Sequence, residues 1–322
     1  MENTLTTTNT ATQIEARQSV SSVVSLFAEQ QDVKKTSRTL YRRAVSQYFD
    51  WVEQTGRIVA ALTIADVIAY KDYLLGIGKS TLTVAGYINA IRRFYTWAEA
   101  NKIYPNIANG VHAPKRKQEF RKKPLSVKKV AELLKYEAEQ NPRDFAIINL
   151  MARTGLRCVE VTRANVGDIT YMGADNTRVL LVQGKGRDDK DNFVVLTDAA
   201  YYPIRAYLDT RKDATDKAPL FVCESNHSTQ GGRLTTRTVS AIAKKGLKSV
   251  GLDNKAFTAH SLRHTAGTNI LRAGGTLEQA QMVLRHANPA TTEIYARMAL
   301  EERRFANGGE DLLDNLYNNA LS

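Results

Sequence analysis

Three segments in the second half of the chain contain cations, imidazoles and a phenol at positions that packing does not require. In the first, TGLRCVEV, Arg157 follows an apolar helix and Glu160 lies one helical turn further on, where its carboxylate can orient the guanidinium. Taken alone, such a pair is more often an ordinary ion pair on a helix surface. In the second, AHSLRHTAGTNIL, His260 and Arg263 share one face of a helix N-terminus. That pairing places a proton-transfer group beside a bidentate phosphate ligand.

The third segment, VLRHANPATTEIYARM, contains a tyrosine nine residues after a histidine. His286 leads into a turn at Pro289, and a short helix beginning at Thr291 or Thr292 would carry Tyr295 back toward the other two segments. Most tyrosines are packing residues, so Tyr295 by itself is a weak candidate.

A polar turn between two β-rich runs adds a lysine to this set. The runs cover residues 177–183 and 192–197, and the turn GKGRDDKD between them contains Lys185, with Lys190 as the alternative. Cleavage of a phosphodiester by a phenol needs an anionic, five-coordinate phosphorus to be stabilised by preorganised cationic donors. Arginines, histidines, a lysine and a tyrosine are the side chains that such a reaction would use.

The elements that must position these residues divide the chain into a helical part and a mixed part. Apolar residues at helical spacing predict four helices between residues 20 and 98, the second of them capped by Thr36 or Ser37. Beyond residue 124 we expect helices from Ser126 and Asp144, then a β-hairpin from the two β-rich runs. Further helices are predicted at 199–210, 235–250, 261–273, 276–285 and 290–298, with a final amphipathic segment at 310–321. The predicted fold class is mainly α with a small antiparallel β-sheet, a helical domain joined to a mixed α/β catalytic domain.

The predicted boundaries follow from composition. We expect a flexible tail at 1–18, a first, helical domain at 19–113, a basic linker at 114–124, a second, mixed domain at 125–307, and a hinge with a terminal helix at 308–322. A tail of this length is too short to fold as an additional DNA-binding domain.

Positive charge is concentrated in the first part of the chain. The whole chain has 45 Lys+Arg and 33 Asp+Glu, a formal charge of +12, and up to Pro124 the counts are 18 and 10, a net +8. Such an excess favours a polyanionic partner, above all nucleic acid. A merely solvated linker is the alternative. The candidate DNA-binding residues are Arg42, Arg43, Arg92, Arg93, Lys115, Arg116, Lys117, Arg121, Lys122 and Lys123.

Several classes are disfavoured by composition. With 43% hydrophobic and 24% charged residues the chain is an ordinary globular protein, and no apolar run is long enough for a membrane span. Two cysteines without metal-ligand spacing predict neither a disulfide framework nor a zinc site. Nucleotide-binding loops and clusters of acidic metal ligands are absent from the sequence, so we expect no cofactor. A cytoplasmic, nucleoid-associated protein fits these features.

Taken in order, the motifs resemble those of the tyrosine recombinase (phage integrase) family. The matching patterns are TGLRxxE, GKG between two strands, HxLRH, and LxH followed nine residues later by tyrosine. The domain plan, a helical SAM-like core-binding domain joined by a basic linker to a mixed catalytic domain, resembles the simple Xer-like layout of that family. The GKG position also favours Lys185 over Lys190. One departure is Arg285, where these enzymes often have glycine.

The resemblance implies a catalytic role for each matched residue. The implied catalytic residues are Arg157, Lys185, His260, Arg263, His286 and the nucleophile Tyr295, with Glu160 in support. Lys185 would protonate the departing 5′ oxygen, and His260 would take the phenolic proton of Tyr295, whose ordinary pKa of ~10 leaves it un-ionised at neutral pH. His264 and Cys158 are expected to be structural.

The family resemblance also implies an assembly. It implies double-stranded DNA with inverted-repeat core sites, a homotetramer on two duplexes, exchange through a Holliday junction, and a terminal helix that packs on a neighbouring protomer rather than on its own domain. An accessory protein or a second recombinase is a further possible partner. Two rival functions remain open: a type IB topoisomerase that uses the same tyrosine chemistry, and a DNA-binding protein that does not cleave.

Overall fold

The described residues form two compact units, divided between residues 119 and 120. The structure is a computed structural model that describes residues 20–115, 123–184, 187–224, 230–286, 288, 292–293, 295–297, 299 and 309–321. The predicted tail and most of the predicted linker lie outside these ranges.

In its described residues, the first unit contains helices and turns but no strand. Its elements are α1 at residues 20–29, α2 at Lys35–Gln54, a 3-10 turn at Val59–Ala61, α3 at Ile64–Gly76 and α4 at Thr81–Ala100. Each long helix turns one apolar face inward, and the buried rings of Tyr48, Tyr70 and Tyr95 meet at the centre. The hydroxyl of Tyr95 donates to that of Tyr48 at 3.2 Å, so neither polar tip is buried alone.

Helix starts in this unit follow capping chemistry, with one exception. A reciprocal cap joins Thr63 and Asp66 at α3, and the Ser80 hydroxyl accepts from the Thr83 N–H at α4. The predicted cap at Thr36 or Ser37 is wrong, because α2 begins at Lys35 and has no side-chain cap. Arg38 in its first turn donates instead to the carbonyls of residues 31 and 33, which closes the preceding loop.

The second unit is mixed. Its helices are α5 at Val127–Ala138, α6 at Pro142–Thr154, α7 at Cys158–Arg163, α8 at Asp198–Asp209, α9 at Thr236–Ser249, α10 at Ala259–Arg272 and α11 at Leu277–Leu284. The described residues among 292–299 are helical and are called α12, and α13 covers Gly309–Leu321. The strands are β1 at Ile169–Met172, β2 at Thr177–Val182 and β3 at Asn192–Val195. The predicted fold class, mainly α with a small antiparallel sheet, is confirmed.

The sheet has three antiparallel strands in the order β1-β2-β3, one more than the hairpin that the sequence predicts. Leu180 pairs with Ile169 on one side and Val194 on the other, and Leu180, Val182 and Val194 are buried on the helical core. Strand β1 escaped prediction because it is four residues long and its last two, Tyr171 and Met172, are exposed. Strand β3 stops before Thr197, the N-cap of α8.

The segment that enters this unit is fixed to α10. The Leu125 N–H donates to the Thr265 hydroxyl at 2.8 Å, and the Arg272 guanidinium donates to the Leu125 carbonyl at 3.0 Å. Within the described residues, no helix is long and apolar enough to cross a bilayer.

Candidate active site

Arg263 on α10 joins three chain segments. Its Nη1 donates to the carbonyl of Gly155 at 2.6 Å, just after α6, and its Nη2 donates to the carbonyl of Leu284 at the end of α11. The side chain is 1% exposed, and burial, helped by the nearby charge of Arg157, lowers its pKa to about 9. The guanidinium therefore fixes the ends of two other helices as well as adding charge.

Gly155 makes this convergence possible. It caps α6 in the left-handed conformation, φ +62°, and a Cβ there would lie 2.6 Å from Cδ2 of Leu284. Only glycine meets both conditions without displacing α11.

Arg157 and Glu160 form a reciprocal pair at the start of α7. Glu160 accepts from the Arg157 backbone N–H at 2.8 Å and from its Nη1 at 2.9 Å. The carboxylate is 1% exposed whereas the Arg157 side chain is 30% exposed. The buried carboxylate therefore holds the guanidinium on one side, and other N–H groups of the guanidinium remain accessible to solvent. Burial would raise the pKa of Glu160, but Arg285 and Arg157 outweigh it and the pKa is lowered.

Arg285 is a second partner of Glu160. Its Nη2 lies 2.9 Å from Oε2 of Glu160, and its Nη1 donates to the Val283 carbonyl at 2.8 Å. The side chain is 8% exposed. Its backbone is left-handed, with φ 54° and ψ 47°, which costs a non-glycine residue about 1 kcal/mol.

His286 follows directly and is tied to α12. Its Nδ1 lies 2.8 Å from the hydroxyl oxygen of Thr292, a residue with no exposed surface. Burial first, and then the charges of Arg263 and Arg157, lower the pKa of His286 to about 4. The ring is therefore neutral near pH 7, and one of its nitrogens carries a proton.

Tyr295 lies beside this imidazole. The two rings are stacked with centroids 6.0 Å apart, and the phenol is 2% exposed among the apolar residues of α10 and α11. Burial raises the pKa of Tyr295, while Arg263 and Arg157 act in the opposite direction. Gly267 lets α11 pack closely here, since a Cβ there would lie 2.7 Å from Cδ1 of Leu284, whereas its 3.5 Å separation from the Tyr295 ring would be ordinary contact.

His260 reaches this cluster through another histidine. His260 is exposed, and its ring centroid lies 4.8 Å from that of His264, which is in turn 5.2 Å from that of Tyr295. Burial, with the charges of His260 and Arg263, lowers the pKa of His264 to about 4. A neutral imidazole thus contacts both the predicted base and the predicted nucleophile.

Lys185 lies outside the described residues, and its role stays a prediction. The hairpin beside it is anchored, because Arg163 donates to the Gly184 carbonyl at 2.9 Å and Gln183 donates to the carbonyl of Asp188 at 2.7 Å. The alternative, Lys190, forms an ion pair with the largely buried carboxylate of Asp168.

The predicted DNA-binding residues fall into three groups. Arg42, Arg43, Arg92 and Arg93 are exposed on α2 and α4, and the Arg93 guanidinium lies 5.5 Å from the centre of the Tyr41 ring. Lys115 and Lys123 are exposed at the two ends of the predicted linker. Arg116, Lys117, Arg121 and Lys122 lie outside the described residues.

Sequence reasoning missed three residues of the site. The sequence presents Thr292 as a helix start, Arg285 as a departure from the family pattern and His264 as a structural residue. The unusual arginine at 285 and the HxLRH spacing were the signals available for two of them, whereas nothing in the sequence pairs Thr292 with His286.

The fold and these side chains define the class of the protein. A helical unit precedes a mixed unit in which Arg263 and His264 of α10 lie close to Arg157, His286 and the buried Tyr295. This is the architecture of a tyrosine recombinase.

Comparison with known proteins agrees with that class. The family model described as "Phage integrase family" matches residues 123–302, and "Phage integrase, N-terminal SAM-like domain" matches residues 24–102. Tyrosine recombinase XerC of Corynebacterium glutamicum is 31% identical over 228 residues, 69% of this chain and 70% of that protein. Tyrosine recombinase XerD of Oceanobacillus iheyensis is 29% identical over 270 residues, 80% and 86% of the two chains. The chain belongs to the phage integrase family and is a tyrosine recombinase.

Solved structures share the fold at lower identity. A XerH site-specific recombinase bound to palindromic difH substrate aligns with a TM-score of 0.68 at 17% identity, covering 84% of this chain and 78% of that one. A lambda integrase dimer bound to a COC′ core site aligns with a TM-score of 0.62 at 17% identity, covering 84% and 92%.

Proposed function

We propose that this recombinase cleaves and rejoins DNA at specific sites through a 3′-phosphotyrosine on Tyr295. The observation that carries the proposal is the convergence of Arg157, Arg263, His286 and Tyr295 around α10, with one arginine fixed in the interior and the other facing solvent. That is the set of cations and donors that a phenol needs to attack a phosphodiester.

The reaction is a balanced exchange of phosphoester bonds. The phenolate oxygen of Tyr295 bonds to phosphorus, the bond from phosphorus to the 5′ oxygen breaks, and Lys185 gives a proton to the departing 5′ hydroxyl. Arg157 donates to the nonbridging oxygens, and Arg263 adds its charge. A 5′ hydroxyl from another strand then reverses the steps, so the bond energy is retained and no nucleotide is consumed.

His286 can donate to the phosphate in only one tautomer. Because the ring is neutral, the Thr292 hydroxyl must donate to Nδ1 so that Nε2 carries the proton. Thr292 is therefore proposed to select the reactive tautomer.

Proton transfer from Tyr295 passes through the histidine pair in this proposal. The raised pKa of the phenol calls for a base, and His264 contacts both Tyr295 and the exposed His260. Because Tyr295 is 2% exposed, α12 must move outward before phosphorus can approach the phenol.

The proposed assembly is a homotetramer on two duplexes with inverted-repeat core sites, which exchanges strands through a Holliday junction in the cytoplasm. Helix α13 supports it, because its apolar face is exposed at Leu312, Leu313, Leu316 and Tyr317 and suits packing on a neighbouring protomer. Deleting residues 310–321 should weaken cooperative pairing of sites while single-site cleavage persists, and unchanged cooperativity would contradict this role. Integration or excision of a mobile element and chromosome-dimer resolution both use this chemistry, and an accessory protein or second recombinase fits either.

A suicide duplex tests the chemistry. Wild type, Tyr295→Phe and the matched control Tyr202→Phe, whose ring is 61% exposed on α8, are incubated without Mg²⁺ with nicked DNA drawn from sequence flanking the gene. We expect a covalent protein–DNA band on a denaturing gel for wild type and the control only. A band with Tyr295→Phe would place the nucleophile elsewhere. No band for any chain despite specific binding would favour the non-cleaving alternative. In a separate assay on a supercoiled plasmid, relaxation without strand exchange would favour a topoisomerase.

A further inference from the structure

Glu160 lies between two arginines that differ in exposure. Its Oε1 faces Nη1 of Arg157, and its Oε2 accepts both the Arg157 backbone N–H and Nη2 of Arg285. Arg157 is 30% exposed and Arg285 is 8% exposed. Only Arg157 can reach a phosphate from this position, so the two cations have different tasks.

The backbone at Arg285 indicates that the side chain is needed there. The residue caps α11 in the left-handed conformation, which glycine adopts without steric cost and which most other residues avoid. An arginine that accepts this conformation and then directs its guanidinium to a buried carboxylate contributes something that glycine does not.

Two contacts fix the guanidinium of Arg285. One nitrogen donates to the Val283 carbonyl on its own helix, and the other to Glu160, which is 125 residues away in the chain. The planar fork of an arginine can satisfy both at once, whereas a lysine ammonium cannot hold that geometry. Arg285 thus connects the segment before His286 to the start of α7.

We propose that Arg285 is a positioning residue that holds Glu160 against Arg157, so that the remaining donors of Arg157 face the scissile phosphate. The assignment rests on the proposed strand cleavage and names a determinant of that site. Without Arg285, Glu160 would lose one of its three donors, and the Arg157 guanidinium would sample other orientations.

Arg285 would act differently if its positive charge alone mattered. A general charge effect on the phosphate would survive replacement by lysine and would be independent of Glu160. Positioning through Glu160 requires the fork geometry and disappears when Glu160 is absent. The two possibilities therefore separate in a double-mutant cycle.

The experiment measures single-turnover cleavage of the suicide duplex by the full chain. Arg285→Gly should cleave about 10- to 100-fold more slowly with DNA affinity within about 2-fold of wild type, and Arg285→Lys should recover only part of the rate. The matched control is Asn176→Gly, which relieves a similar left-handed backbone, φ 51°, in the turn between β1 and β2 and should leave the rate unchanged. In a Glu160→Ala background, Arg285→Gly should have no further effect.

A second measurement does not depend on cleavage. Phenylglyoxal modifies accessible guanidinium groups, and its rate at Arg157 can be followed by mass spectrometry. We expect several-fold faster modification of Arg157 in Arg285→Gly than in wild type or Asn176→Gly. Equal modification rates would overturn the positioning role. Additive rate losses in the cycle, or full activity of Arg285→Lys, would replace it with a charge effect. A wild type that never cleaves would instead refute the proposed function, and the modification result would still decide the role of Arg285.

Discussion

Replacing Glu160 by glutamine should destabilise the second unit while leaving the first unit unchanged. The carboxylate is 1% exposed and accepts from Arg157 Nη1, the Arg157 N–H and Arg285 Nη2, all within 2.9 Å. Removing one partner of a buried ion pair costs about 3–5 kcal/mol, because the remaining charge is left without compensation. The amide keeps one acceptor oxygen, so we expect about 3 kcal/mol for Glu160→Gln.

The two units carry different spectroscopic probes. Both tryptophans of the chain, Trp51 and Trp97, lie in the first unit, whereas far-UV circular dichroism reports the helices of both. With a urea m value of about 3 kcal/mol/M, the loss corresponds to a shift of about 1 M in the circular dichroism midpoint of the second unit. Tryptophan fluorescence should show an unchanged transition.

The matched control removes an exposed carboxylate. Asp209 pairs with Arg205 at 2.9 Å, but the two side chains are 56% and 60% exposed, so Asp209→Asn should cost less than about 0.5 kcal/mol. If Glu160→Gln shifted the midpoint no more than this control, the carboxylate would not be compensating the two arginines. An equal shift in the tryptophan transition would show a general effect and would equally refute the reasoning.

Three further predictions concern the second unit. Thr292→Val should slow cleavage about 10-fold and Thr292→Ser should not, since only a hydroxyl can set the tautomer of His286; equal single-turnover rates would exclude that role. The free energy of unfolding should be highest well above pH 6.5 and should fall between pH 6.5 and pH 4, by about 3 kcal/mol for each of His264 and His286. The reason is that the pKa of each histidine is about 4 in the folded protein, so the unfolded chain, where the pKa is ~6.5, takes up protons first. Urea unfolding across that range should be less pH-dependent for His286→Gln, and identical slopes would contradict this. Ser126→Ala should lower the free energy of unfolding by about 1 kcal/mol, because the Ser126 hydroxyl accepts from the Lys129 N–H at the start of α5. An unchanged urea midpoint would show that this cap does not stabilise the second unit.

Local chemistry was readable from the sequence. The hydroxyl of Ser126 caps the helix that it is predicted to begin, and Gly155 of the TGLR motif ends α6. These features depend on residues within a turn of one another, so composition and spacing suffice. The prediction of a capping residue failed at α2. There the side chain of Arg38, inside the helix, donates to the carbonyls of residues 31 and 33 in the preceding loop.

Distant contacts were not readable in the same way. Arg263 reaches a carbonyl 108 residues away, and Arg285 reaches a carboxylate 125 residues away. Strand β1 exists only because β2 supplies its partner, and its own four residues carry little pattern. The motifs predict which side chains would carry the chemistry, but the way in which they contact one another, with His264 against Tyr295 and Thr292 against His286, depends on packing.

The contacts of Arg263 show why chemistry and folding are not separable at this site. Both terminal nitrogens of the guanidinium are engaged with main-chain carbonyls, after α6 and at the end of α11, and Glu160 joins those same two regions through Arg157 and Arg285. The three motifs are therefore held together by the charges that would act on phosphate as well as by a small apolar cluster around Tyr295. A lysine in place of Arg263 would keep a positive charge but lose the fork that spans both carbonyls, so the segments before Arg157 and His286 would separate. Loss of activity in such a variant reports on the charge only when unfolding measurements show that the three segments are still joined.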